Sequence, residues 1–219
     1  MKKSKIKILY CGLKYDYGKP LNGFSFEHNN FYQSFMKMRE IEKVDYVAMD
    51  ELILEHGQNY LNEEIIKLSK INKYDLIFFF LFKDEIFFET LDYLKQELSI
   101  PTVAWMADDH WRFENYSKYI ANHFSYVATT DKNSLQKYRE HKIYNVIHSQ
   151  WACNHFAYKS IKKDIKFGVT FVGMLYGSRG KDIEYLNDKN NLIQCWGQNW
   201  QNGKLSLEKK NRSLFKFFN

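Results

Sequence analysis

The run Leu76–Phe82 (LIFFFLF) constrains the fold more than any other part of the chain. Asp75 and Lys83 bound it, so it falls far short of the roughly 20 apolar residues that a helix needs to cross a bilayer. No transmembrane segment is predicted. Unbroken apolar side chains point to both faces of an extended segment, which is the pattern of a central parallel strand covered on both sides. Tyr74–Phe82 is therefore read as a buried strand, and helices must flank it.

Other short apolar runs recur, each followed by a helical pattern. Ile6–Cys11, Val44–Met49, Thr102–Ala107, Tyr126–Thr130 and Asn145–Ser149 read as further strands. Between them, Phe24, Phe31, Phe35 and Met38 share one helical face, as do Leu61, Ile65 and Leu68, and Phe87, Leu91, Leu94 and Leu98. A helix over Asp131–Glu140 separates the last two strands. Repeated β-α-β units predict an α/β fold, a Rossmann-like doubly wound parallel sheet with helices on both faces. Residues 1–158 form this domain and polar residues 159–166 a linker. A second β-α-β unit then starts: Val169–Gly173, a helix near Lys181–Leu186, and Leu192–Trp196. A doubly wound domain takes on the order of 100 residues, and only 53 run from Phe167 to Asn219. Residues 167–203 are thus expected to be the truncated start of a second domain, and 204–219 a basic tail.

The net charge of +6 at pH 7 invites a nucleic-acid reading, but its distribution argues against one. Lys2, Lys3, Lys5 and Lys7 supply +4, and residues 203–219 another +4, which leaves −2 for residues 8–202. Phosphate neutralisation needs Lys and Arg clustered on a folded face, so no nucleic-acid partner is predicted. Cys11, Cys153 and Cys195 are odd in number and contain no Cys-x-x-Cys pair, which predicts a reducing, cytoplasmic setting. The N-terminus shows no secretory pattern.

Ligands of such sheets bind outside the carboxyl ends of the strands, so chemistry is sought in the loops there. The first loop, Gly12–Gly23 (GLKYDYGKPLNG), matches neither dinucleotide nor P-loop spacing. It nonetheless joins a strand to a helix, where Tyr15, Asp16 and Tyr17 would line the mouth; the alternative is a long surface turn. After the fourth strand, Asp108-Asp109-His110-Trp111 brings two carboxylates, an imidazole and an indole to one edge. Adjacent carboxylates raise one another's pKa, and a carboxylate beside His can orient the ring as a base. Either aspartate could instead cap the following helix, and a metal site there is a weaker rival. Ser149–Phe156 carries Trp151, Cys153, Asn154 and His155. Cys153 and His155 stand too close in sequence for a nucleophile-base pair, so Trp151 and Asn154 are read as cleft-lining or packing residues. The fourth loop, Gly173–Gly180 (GMLYGSRG), offers glycines, Ser178 and Arg179 before a helix: a phosphate cradle, or a turn capped by Ser178.

Seven segments together resemble the CgeB-type glycosyltransferases, named for a spore-maturation protein. They are KILYCGLKYDYGKPLNGFSFEHNNFY, FFFLFKDEIFFETLDYLK, PTVAWMADDHWRF, TTDKNSLQKYR, VIHSQWACNHF, VTFVG and CWGQNW, in order from about residue 6 to 203. The resemblance implies a GT-B architecture, in which an N-terminal domain holds the acceptor and a C-terminal domain the nucleotide-sugar. It implies Asp109 or His110, with Asp108, as the base. Gly12, Tyr15, Asp16, Tyr17, Trp111, Trp151 and Asn154 would meet the acceptor, and Gly173, Gly177 and Arg179 the donor diphosphate. No metal and no cofactor beyond the donor substrate is implied; the partners are a nucleotide-sugar and a glycan, protein or cell-surface acceptor. The family continues past the point where this resemblance fades, near Leu207, so a truncated chain is expected to be inactive alone. The alternative is a non-catalytic carbohydrate-binding or scaffold remnant. A flavodoxin-like or dinucleotide-binding role is weakened by the missing glycine fingerprint.

Overall fold

A computed structural model describes residues 5–164, 167–189, 193–197 and 199–200. The expected basic tail, 204–219, lies outside the described residues. The chain divides into two compact units, Met1–Lys159 and Ser160–Asn219.

The first unit is an α/β domain built on six parallel strands, β1 (Ile6–Gly12), β2 (Ile41–Ala48), β3 (Leu76–Phe79), β4 (Thr102–Met106), β5 (Tyr126–Thr129) and β6 (Val146–His148). Their order is β2-β1-β3-β4-β5-β6, so the chain reverses its winding between β1 and β3. That reversal opens a crevice at the carboxyl ends of these two strands, where doubly wound sheets bind ligands. The helices are α1 (26–35, π-helical over His28–Tyr32), α2 (Met49–His56), α3 (Gln58–Asn72), α4 (88–97), α5 (109–123) and α6 (Ser134–Glu140).

Alternation along the central strands splits the core in two. Leu9, Cys11, Ile77, Phe79, Ala104, Met106 and Val127 face α2 to α6 in a mainly aliphatic layer. Ile8, Tyr10, Phe78, Phe80, Trp105 and Ala128 face the opposite way, where α1 lays Phe31, Tyr32 and Phe35 over them. Tyr10 pairs in register with Tyr46 on one side and Phe78 on the other, so three rings stand in a row across the sheet.

Two expectations need correction. The strand expected at Tyr74–Phe82 ends at Phe79, and Phe80–Phe82 leave the sheet as loop. Met49 is not the end of a strand but the first residue of α2, whose first turn holds Asp50 and Glu51 and whose last residue precedes Gly57 at φ 86. The second unit contains β7 (Val169–Val172), α7 (Arg179–Asp188) and β8 (Ile193–Trp196), the strands pairing in parallel over a core of Ile183, Ile193 and Cys195. Among the described residues, no helix is long and apolar enough to cross a membrane.

Candidate functional site at the carboxyl edge of the sheet

The loop after β1 closes on itself. Tyr15 bridges Phe24, the Asp16 amide donates to the Gly23 carbonyl at 3.0 Å, and the Ser25 amide to the Lys14 carbonyl at 2.9 Å. Asp50, at the start of α2, holds the loop from below: its two carboxylate oxygens accept the amides of Lys14 and Tyr15, each at 2.9 Å. Tyr17 takes a left-handed φ of 52, which a non-glycine residue adopts only under constraint, and sets its exposed ring edge-on to Phe82 at 5.6 Å. Gly12 has no such φ. Its missing Cβ matters because a methyl there would lie 2.6 Å from the Tyr10 hydroxyl, which rises over Gly12 toward the carboxyl end of β1.

Ser25 caps α1: its hydroxyl accepts the His28 amide at 2.9 Å and donates to the Leu13 carbonyl at 2.7 Å. The cap fixes Glu27 in the first turn, half-buried. Burial pushes its carboxyl above the usual glutamate range, and the negative charges of Asp16 and Asp108 push it the same way. Glu27, in α1, therefore lies within electrostatic reach of Asp16 in the first loop and of Asp108 after β4. Glu27 was not among the residues singled out from the sequence; the Ser25–His28 capping spacing is the signal that would have placed it.

Behind Glu27 the polar atoms lack partners. Tyr10 Oη, Tyr46 Oη, His28 Nδ1 and Trp105 Nε1 are buried without a hydrogen-bond partner among the described residues. Tyr10 is 0% exposed and His28 7%. Their rings are neighbours, Tyr10 to Tyr46 at 5.4 Å and His28 to Tyr46 at 5.5 Å. Burial, and the charges of Tyr46 and Glu27 beside it, hold the Tyr10 hydroxyl well above its ordinary pKa.

The loop after β4 separates its two aspartates. Asp108 is half-buried and its side chain makes no capping bond, although its carbonyl accepts the amides of Trp111 and Arg112. Asp109 is 0% exposed. The Tyr138 hydroxyl donates to Asp109 Oδ2 at 2.8 Å, and burial raises the carboxyl against the pull of the hydroxyls around it. The structure places Asp109 in the interior beside Tyr138, as the first residue of α5, while Asp108 stays half-buried just before the helix. His110 and Trp111 are exposed.

Asn154 takes the packing alternative. It is 1% exposed; its side chain donates to the Asn29 carbonyl at 2.8 Å, and its amide donates to Asn30 Oδ1 at 2.9 Å. These bonds tie the segment after β6 to α1. Trp151, half-exposed, packs edge-on to Phe26 at 5.1 Å and lies beside Trp105 at 5.8 Å. Cys153 is exposed, and Cys11 and Cys195 are buried.

In the second unit, Arg179 is turned into its own loop. It donates to the Met174 carbonyl at 2.9 Å and lies over the Tyr176 ring at 4.0 Å. Gly177 takes a φ of 59 before the helix, and Ser178 bonds Asp182 at 2.9 Å. Gly197, just after β8, sits against the Gly173 backbone, where a Cβ would collide with the Gly173 carbonyl. Among the described residues, no three or more His, Cys, Asp or Glu side chains are grouped to hold a metal ion.

No protein-family model matches the chain, and no curated protein matches its sequence. The class that the described residues define is a Rossmann-like doubly wound α/β protein.

Proposed function

We propose that the protein is a glycosyltransferase, moving a sugar from a nucleotide-sugar donor to a hydroxyl-bearing acceptor held at the carboxyl edge of the first unit's sheet. The observation that carries this reading is that the loops after β1 and β4 bring Asp16 with the exposed ring of Tyr17, and Asp108 with the exposed ring of Trp111, to the carboxyl edge of one sheet. Sugars present apolar C–H faces and polar hydroxyl rims, so a site for them pairs aromatic rings with carboxylates. Proton removal from an acceptor hydroxyl needs a base, and burial raises the Glu27 carboxyl in the direction that favours one. In the second unit, the turn at Gly177 and the start of α7 suit a diphosphate, whose charge the helix N-terminus favours. Arg179 would have to leave the Met174 carbonyl to join it.

The test is calorimetric titration of the full chain with UDP- and GDP-sugars, followed by assay of nucleoside diphosphate release with candidate glycans. Saturable donor binding is expected, and acceptor-dependent release would overturn the expectation of inactivity that the resemblance implies. Absence of binding by every donor would overturn the reading. Glycan binding without any transfer would favour a non-catalytic carbohydrate-binding role instead.

A further inference from the structure

The segment after β6 is fastened across α1, and the fastening builds a corner of aromatic rings apart from the acidic loops. We propose that Phe26 and Trp151 form a binding corner for a flat ring of the acceptor, and that the Trp105 indole N–H sets its specificity by donating to an oxygen on the rim of that ring. The inference rests on the glycosyltransferase reading for calling this ligand the acceptor. It deepens that reading by naming the acceptor's class, a sugar or phenol ring with an apolar face and a rim oxygen.

The corner is preformed. The Asn154 amide donates to Asn30 Oδ1 at 2.9 Å, its side chain donates to the Asn29 carbonyl at 2.8 Å, and its Oδ1 accepts the Phe156 amide at 3.0 Å. These bonds fix the chain just beyond Trp151 against α1, the helix that carries Phe26. The two rings then stand perpendicular, at 84° with centroids 5.1 Å apart, and each is nearly half-exposed, Phe26 at 44% and Trp151 at 45%. Phe80 lies beside Trp151 at 6.1 Å and backs it from β3. Two rings held at a right angle offer one wall to the face of a flat ligand and one to its edge, the two arrangements that aromatic contacts favour.

A second observation, independent of the corner, comes from β4. Trp105 is 9% exposed, and its Nε1 has no hydrogen-bond partner among the described residues. Buried indole N–H groups ordinarily find an acceptor. Of the rings beside this indole, Phe31 at 4.9 Å packs onto the aromatic core, whereas Trp151 at 5.8 Å is the half-exposed one. A ligand therefore approaches Trp105 by way of the corner, and a shift of the Trp151 ring uncovers the N–H. A ring that lacks a rim oxygen would leave this donor unpaired, which is how a site built around one hydrogen bond rejects an analogue. The corner also stands on the same segments as the carboxylates of the candidate site: Phe26 precedes Glu27, and Trp105 lies three residues before Asp108.

The test titrates the full chain, without donor, with methyl β-glucopyranoside in one arm and phenol in the other, and follows the assigned Nε1–H resonance of Trp105 by NMR. Saturable binding in one arm is expected, at roughly the millimolar affinity of a single small ring, with a shift of that resonance. The arm that binds tells sugar from phenol. Trp151→Ala should weaken binding about tenfold or more, and Trp105→Phe, which keeps a ring and removes the N–H, about tenfold, each with an unfolding midpoint near that of wild type. Failure of both probes to bind would overturn the inference, as would wild-type affinity in Trp105→Phe. A Trp105 resonance unmoved at saturation would overturn it with no variant at all. Nucleotide-sugar binding without ring binding would remove the corner and leave the transferase reading standing. Ring binding by a chain that binds no nucleotide-sugar would overturn the transferase reading and leave the ring site in place.

Discussion

The two faces of the first unit's sheet treat buried polarity differently. On the mainly aliphatic face, Asp109 keeps Oδ2 paired with the hydroxyl of Tyr138 while Oδ1 has no partner among the described residues, and Phe113 packs edge-on against that tyrosine at 4.8 Å. On the aromatic face, Tyr10, Tyr46, His28 and Trp105 are buried and unpaired among the described residues. Buried polar atoms are ordinarily satisfied. Four of the five unpartnered buried atoms among the described residues lie on the aromatic face, and the paired Tyr138 hydroxyl against the unpaired Tyr46 hydroxyl sets the contrast between the two. The aromatic face tolerates the mismatch because its rings still remove large apolar areas from water.

Loss of Phe113 would break the paired side most severely. The ring is fully buried and closes the chamber around Asp109 and Tyr138. Phe113→Ala should destabilise the first unit by about 3–5 kcal/mol, read from denaturant unfolding. A loss below ~1 kcal/mol would mean that this face is not the structural one.

Tyr138→Phe comes next. It removes the donor from a buried carboxylate and leaves Asp109 with less satisfaction than before. The expected loss is about 1–3 kcal/mol. Asp109→Asn sharpens the same pair through pH. Burial raises the folded carboxyl, so the native state keeps its proton to higher pH than the unfolded chain does. Its stabilising contribution is full below the unfolded value and falls as pH rises through the folded one. Asn cannot ionise, so the stability of Asp109→Asn relative to wild type should rise from acid to neutral pH. A flat difference in chemical denaturation would contradict the raised carboxyl.

Most of the fold was legible because strand chemistry is local. The six apolar runs became six parallel strands within a few residues of their expected limits. Helix ends were harder. Phe24 and Met38 share the spacing of Phe31 and Phe35 but fall outside α1, since the Ser25 cap starts the helix later and Met38 follows its last turn. The site was half legible. The loops after β1 and β4 were expected, yet Asp108 and Asp109 are adjacent in sequence and opposite in environment. Nothing in the order of two aspartates shows which one meets Tyr138, 29 residues away. Glu27 was hidden for a related reason: its raised carboxyl comes from burial and from Asp108, a residue contributed by a different strand's loop.

The smallest effect tests the comparison most directly. Tyr46→Phe deletes a buried hydroxyl that has no partner among the described residues, and keeps the ring that stacks on Tyr32 at 4.4 Å. Removal of a hydroxyl from a satisfied pair exposes its partner to the full desolvation cost, as at Tyr138. Removal of an unpaired one exposes nothing and relieves a burial penalty. Tyr46→Phe should therefore lie within about 0.5 kcal/mol of wild type, or slightly above it in stability. The two Tyr→Phe variants make the same chemical change, one at a fully buried ring and one at a half-buried ring whose hydroxyl is itself buried, so the change in side-chain volume cancels between them. Equal losses in thermal and denaturant unfolding would show that the Tyr46 hydroxyl is satisfied, and the contrast between the two faces would fail there.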